Sequence, residues 1–212
     1  MNYHKIMLEI IKKEQENNNI PNLLLHSCCA PCSSHVIDTL TKYFNITILY
    51  YNPNIEPYEE YIKRKEEEKR FIKEFNNINK LDIIDCDYDN EIYHETIKGL
   101  EDCKEGGNRC FKCYELRLEY TANKAKELGF DYFGTTLTVS PYKNSNKLNE
   151  IGELLAKKYN IKYLYSDFKK NNGYKHSIEL SKEYKLYRQD YCGCIYSQVE
   201  RNKKIQNKRK DD

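Results

Sequence analysis

Leu23-Leu24-Leu25-His26-Ser27-Cys28-Cys29-Ala30-Pro31-Cys32 joins an apolar triplet to three thiols within five residues. The triplet reads as a short buried strand, and Pro31 suits the first turn of a following helix. The cysteines therefore fall on a strand-to-helix turn, where free N–H groups and the positive end of the helix dipole favour thiolate over thiol. Thiolate is the form that ligates metals or attacks electrophiles. Buried cysteines also occur as small packing residues. Adjacent Cys28 and Cys29, however, would point different ways in any regular element, so packing alone does not account for them.

Working outward, strand and helix patterns alternate. Upstream, Ile6, Met7, Ile10 and Ile11 lie at helical spacing within residues 3–16. Downstream, Val36, Ile37, Leu40, Tyr43 and Phe44 form the apolar face of a helix, and residues 46–51 form a second strand ending in the turn Asn52-Pro53-Asn54-Ile55. Pro57 opens a helix over 57–75 whose alternating Lys, Arg and Glu read as a solvated face with i to i+4 pairs. A third strand at 81–84 places Cys86 just past its end, and a short helix at 92–100 leads to the Gly106-Gly107 loop and Cys110-Phe111-Lys112-Cys113. The helix that follows runs to Leu128, with Gly129 as its cap. Further strands are expected at 133–137 and 163–165, separated by a helix through Ile151, Leu154 and Leu155. The remainder is helical apart from the loop Asp190-Tyr191-Cys192-Gly193-Cys194.

Short strands apolar on both faces, alternating with helices, predict an α/β fold with a parallel sheet covered by helices on each side. Ligands of such sheets sit outside the carboxyl ends of the strands, which is where Cys28, Cys29, Cys32 and Cys86 fall. The sequence shows no internal repeat and no linker rich in Gly, Ser or Pro, so a single domain is expected over residues 1–212 with a basic tail from about 199.

Composition narrows the class. A net charge of +2 with 32% charged residues describes a mixed-sign surface, so any nucleic-acid site must be local. No apolar run approaches the roughly 20 residues that span a bilayer, and no basic region followed by an apolar segment opens the chain, so a cytoplasmic protein is expected. Nine cysteines in a reducing compartment, an odd count, agree with metal ligation or redox work rather than a static disulfide framework. Asparagine, lysine, isoleucine and tyrosine abound throughout, and runs such as Asn17-Asn18-Asn19 read as compositional bias.

Cys110 and Cys113 share one face of a helix start and with Cys28 and Cys29 offer four thiolates. Sulfur-only ligation suits structural zinc or an iron–sulfur cluster, and spacing does not separate them. The adjacent pair Cys28-Cys29 fits a zinc knuckle poorly, and a site on the ligand edge of the sheet favours the cluster. Cys192 and Cys194 can close only a small, strained and easily reduced disulfide, as a catalytic or electron-storing pair would; another pair of metal ligands is the alternative. The five histidines form no H-x-x-H pattern, although His26 lies beside the cysteine turn. No Gly-rich phosphate loop is present, which argues against a nucleotide cofactor.

These motifs together resemble the QueH family of epoxyqueuosine reductases. The residues that carry the resemblance are Cys28-Cys29-Ala30-Pro31-Cys32, Tyr51-Asn52-Pro53-Asn54-Ile55, Arg109-Cys110 with Cys113, Arg117-Leu118, Thr135-Thr136-Leu137-Thr138-Val139-Ser140-Pro141, Leu186-Tyr187-Arg188-Gln189 and Tyr191-Cys192-Gly193-Cys194. The resemblance implies reduction of the epoxide of epoxyqueuosine at the tRNA wobble position to an alkene, with two electrons consumed and water lost. It implies a [4Fe–4S] cluster on Cys28, Cys29, Cys110 and Cys113 and a redox-active pair at Cys192 and Cys194. A second iron is also implied, with Cys32 as its candidate ligand. The implied fold is related to the nucleotide-binding alpha-hydrolase (HUP-like) class, with cysteines where ATP-using members have a phosphate loop. Cys86 and Cys103 match no family motif.

Partners expected are the modified tRNA and a low-potential electron donor, with no membrane. His26, Asp190 and Tyr191 are the proton-donor candidates by proximity, and Lys203, Lys204, Lys208, Arg209 and Lys210 form the basic segment for tRNA. The alternatives from other classes are a zinc-stabilised tRNA-binding module without catalysis and a thiol–disulfide oxidoreductase.

Overall fold

The computed structural model describes residues 1–211, and side chains through Gln206; Lys208, Arg209 and Lys210 of the expected basic segment lie outside the described side chains. The apolar triplet belongs to β1 (Asn22–His26), which pairs in parallel with β2 (Asn45–Tyr50) on one side and β4 (Tyr132–Thr135) on the other. Outside these lie β3 (Leu81–Asp85) and β5 (Lys162–Tyr163), both also parallel, giving the order β3-β2-β1-β4-β5.

Successive side chains of a strand face opposite ways, and each face of this sheet is buried. Leu23 and Leu25 of β1 join Ile46 and Ile48 of β2 against Met7 and Ile11 of α1 (Tyr3–Glu16), Val36 and Leu40 of α2 (Ala30–Leu40), and Phe71 of α3 (Tyr58–Glu74). Leu24, Leu49 and Phe133 face the other way, onto Leu118 and Ala122 of α5 (Asn108–Glu127) and onto Leu148 and Leu155 of α6 (Ser145–Tyr159). Each fully buried leucine contributes about 1.5–3 kcal/mol, so a register slip in β1 that exchanged the two faces is strongly disfavoured. A short helix α4 (Asn90–Thr96) precedes α5. Two more follow β5: α7 (Gly173–Glu183), which packs on α2, and α8 (Ile195–Asp211).

The doubly wound parallel sheet is the expected architecture; the narrower kinship to the nucleotide-binding alpha-hydrolase class rests on the resemblance. Several boundaries differ. The fourth strand stops at Thr135, because its hydroxyl accepts the Leu137 N–H at 3.1 Å and turns residues 136–139 into a 3₁₀ turn. The fifth strand shrinks to Lys162–Tyr163. Tyr43 and Phe44 lie beyond α2, although Phe44 is still buried. The short helix ends at Thr96 rather than near Leu100.

The largest correction concerns α3. Its charged run is not all solvated, because Arg64 and Glu68 are only 1% and 0% exposed. Both sit on the face that α3 turns inward with Tyr61, Phe71 and Ile72.

Strand order reverses at β1 and β4, and the crevice outside their carboxyl ends is the place such sheets offer a ligand. The cysteine turn that follows β1 lies there.

Candidate metal and redox centre

The chain leaves β1 at His26 and enters α2 at Ala30, so Cys28 and Cys29 occupy the turn and Cys29 caps the helix in an extended conformation. The sulfur atoms of Cys28, Cys29 and Cys32 all lie within 4.8 Å of one another, with 3.7 Å between the first two. Close packing draws Cys28 well below the usual thiol range. The neighbouring thiols of Cys29 and Cys32 stabilise its thiolate first, against burial, and Lys143 and Arg117 add positive charge. Burial pushes Cys29 up, and Cys28 beside it adds to the effect. Three converging sulfurs could hold a metal ion, and metal binding there would release thiol protons.

Cys110 and Cys113 come from the first turns of α5, where the Gly106 N–H donates to Cys110 Sγ at 3.2 Å. Cys110 packs on the apolar cluster that holds Cys28 and Cys29, whereas Cys113 is buried with Cys194, Tyr93 and Ile97. Burial pushes the Cys113 thiol up to about 12.

The loop carrying Cys192 and Cys194 rests on the turn after β2. The Glu56 N–H donates to Gly193 O at 2.8 Å, Arg64 Nη1 donates to Cys192 O at 3.0 Å, and Tyr191 hydroxyl donates to Glu56 O at 2.8 Å. Gly193 is required here: its φ is +135°, and a Cβ would stand 3.0 Å from Ile55 Cγ1. All nine cysteines are free thiols in this structure. Cys86, expected with the turn cysteines, is not among the three grouped sulfurs. It follows β3, two strands from β1 in the sheet, and neighbouring strands are about 4.8 Å apart.

Buried cations surround the sulfurs. Arg117 is 1% exposed, its Nε donates to Cys113 O at 3.2 Å, and its Nη2 has no partner. Burial opposes its charge, but Cys113, Cys192 and Cys28 hold it protonated. Arg64 binds Glu60 Oε1 at 2.7 Å and also leaves Nη2 unpaired. Buried cations with orphaned donors are costly unless an anionic group completes them. A thiolate-ligated centre is such a group.

Two further N–H groups aim at sulfur: Gln189 Nε2 lies 2.7 Å from Cys29 Sγ, and Lys143 Nζ lies 3.0 Å from Cys192 Sγ. Donors of this kind set the potential of a sulfur-ligated centre. Sequence reasoning missed Lys143, Gln189 as a sulfur donor, and Glu68. A lysine two residues past Ser140-Pro141, at the carboxyl edge of β4, was the one available signal. Glu68 sits beside the Ser33 and Ser27 hydroxyls under the cysteine turn, and burial pushes its carboxyl up to about 8.

His26 is corrected as a proton donor. It is fully buried, with Nε2 3.1 Å from Tyr51 O and Nδ1 3.1 Å from Thr135 Oγ1. A carbonyl only accepts, so Nε2 carries the proton, Nδ1 accepts from the threonine, and the ring ties β1 to β4 and to the Tyr51 turn. Burial and then Arg117 push its pKa down to about 3, so it is neutral. Tyr191 and Asp190 are also engaged, the first with Glu56 O and the second with Arg201.

A cleft of about 690 Å³ opens over Cys28, Cys32 and Cys192, walled by Tyr142, Lys143 and Gln189. Its volume is that of a small-molecule or nucleoside site. From α8, Arg201 and Lys204 reach its rim.

The family model for Epoxyqueuosine reductase QueH matches residues 23–200. The chain belongs to the QueH family. Relatives bearing that name share 45% identity over 199 residues in Streptococcus pyogenes, covering 93% of this chain and 78% of the relative. In Staphylococcus epidermidis the figures are 43% over 201 residues, with 93% and 84% covered. A relative of the same name from Thermotoga maritima is 37% identical over 188 residues, with 86% and 93% covered. Membership makes the chain an oxidoreductase, and its sulfur-lined crevice stands at the switch point of the sheet. None of the described helices is long and apolar enough to cross a membrane.

Proposed function

We propose that this chain reduces epoxyqueuosine in tRNA to queuosine, in the cytoplasm, by a two-electron reduction with loss of water. The observation that carries the reading is a group of three sulfurs, two of which, on Cys28 and Cys32, line a nucleoside-sized cleft in a QueH family member. Cys28, Cys29, Cys110 and Cys113 would hold a [4Fe–4S] cluster, Cys32 would serve a second iron, and Cys192 with Cys194 would form the redox pair. The donor chemistry fits such a group: sulfurs receive N–H bonds, and Arg64 and Arg117 present unpaired guanidinium nitrogens to the same region. When bound, the cluster would supply electron transfer at low potential.

The chain's own residues bind and orient. Tyr142, 79% exposed at the cleft wall, offers a ring on which a splayed loop base stacks. Arg201 and Lys204 at the rim are placed for neighbouring phosphates. Gln189 fixes Cys29, and the pinned loop holds Cys192 at the cleft. An external low-potential donor reloads the pair after each turnover.

Anaerobic purification with iron and sulfide analysis and visible absorption tests the reading. Iron is expected in the wild type, and Cys28→Ala, Cys29→Ala, Cys110→Ala and Cys113→Ala should each lose iron and turnover together. Full cluster content in two of these variants would overturn the ligand set. Zinc in place of iron, with tRNA binding and no reduction, would instead establish a zinc-stabilised binding module.

A further inference from the structure

Lys143 lies on the loop between the 3₁₀ turn at the end of β4 and α6. Its Nζ donates to Cys192 Sγ at 3.0 Å, and both residues line the cleft beside Cys28 and Tyr191. The partner of this ammonium is therefore a sulfur atom rather than a carboxylate. We propose that Lys143 is the catalytic proton donor of the epoxide reduction, releasing its proton to the departing oxygen as the Cys192 sulfur beside it is oxidised. The inference rests on the reading of Cys192 and Cys194 as the redox pair.

Proton arithmetic supports it. Turning an epoxide into an alkene and water breaks both C–O bonds and takes up two electrons and two protons. The Cys192 and Cys194 dithiol gives up two electrons and two protons on forming its S–S bond, which matches that demand. Lys143, in contact with the Cys192 sulfur, hands a proton to the departing oxygen and takes up the one that this sulfur releases.

The electrostatics point the same way. Burial disfavours the lysine charge, and Cys192, followed by Tyr114 and Cys28, outweighs it and holds Nζ protonated; Arg117 opposes. Reduction of the disulfide by the external donor, with two protons from solvent, restores the dithiol. The other groups by the cleft are less suited, because His26 is neutral and buried while Tyr191 and Asp190 are held by Glu56 O and Arg201.

The test uses iron-loaded, pre-reduced enzyme and an RNA stem–loop carrying epoxyqueuosine, in single turnover. Lys143→Arg keeps the positive charge but holds its proton at working pH. Lys143→Arg and Lys143→Ala are expected to lose about 10²–10⁴-fold in rate with iron content and RNA affinity kept, and methylamine should restore Lys143→Ala. A Lys143→Arg rate within a few fold of wild type, or a Lys143→Ala rate that no primary amine restores, would overturn the proposal. Failure of the underlying reading looks different: product would form in the wild type while thiol trapping still finds both cysteines reduced.

Discussion

Replacing Glu68 by Gln should make this protein more stable, and increasingly so as pH rises. Glu68 is fully buried, and its carboxyl titrates near 8 in the folded chain, against about 4.3 for an unperturbed glutamate. A folded pKa above the unfolded one means that the unfolded state gives up its proton first as pH rises. The stability that the protonated form contributes is thus complete below about pH 4 and is lost progressively up to about pH 8. Each pH unit costs about 1.4 kcal/mol, so at pH 7.5 the carboxyl costs about 4 kcal/mol and at pH 5 about 1 kcal/mol. A glutamine of the same shape titrates nothing. Urea unfolding of the metal-free, reduced proteins should show a gap in favour of Glu68→Gln that widens by about 3 kcal/mol between pH 5 and pH 7.5. His26 acts oppositely: its folded pKa near 3 gives stability that is present above about 6.5 and lost as pH falls toward 3. That contribution is common to both proteins and cancels in the difference. A gap that stays constant with pH would refute the assignment of Glu68 as a buried carboxylic acid.

Two other perturbations follow from contacts. Gly152 of α6 faces Tyr163 of β5 so closely that a Cβ would stand 2.3 Å from Cζ of the ring; Gly152→Ala should cost about 1–3 kcal/mol in thermal or denaturant unfolding while iron content is kept. Arg201→Gln and Lys204→Gln, at the cleft rim, should each weaken tRNA binding and flatten the dependence of log affinity on log salt by about one unit, measured by filter binding across a salt series.

The cysteine turn was legible because its signal is local: an apolar triplet, a proline at the helix start and three thiols mark a strand-to-helix turn, although they leave its metal open. Alternation of strand and helix patterns likewise carried the parallel sheet. What sequence did not show depends on which side of a helix turns inward. Arg64 and Glu68 sit among Glu59, Lys63, Lys65, Glu66 and Glu67, and nothing in that run marks two of its charges as buried. Their burial is decided by the cysteine turn and the Cys192 loop, which pack against α3 from distant parts of the chain. His26 misled for the opposite reason. Adjacency to reactive residues suggested chemistry, whereas its two ring nitrogens are both spent on holding strands together. The motif Asn52-Pro53-Asn54-Ile55 is visible in sequence, but its task depends on a distant segment, because Gly193 and Tyr191 both hydrogen-bond to Glu56, the residue that follows it.

The sulfur atoms of the proposed centre would arrive on three stretches of chain, at 28–32, 110–113 and 192–194. During synthesis the first trio leaves the ribosome with β1, long before α5 exists, and domains complete themselves only as later segments dock. The nascent chain therefore exposes a three-thiol chelator for most of its elongation, while the last two cysteines precede the final helix. Any metal loaded before release would meet a half-built cage, so faithful assembly favours delivery after translation has ended.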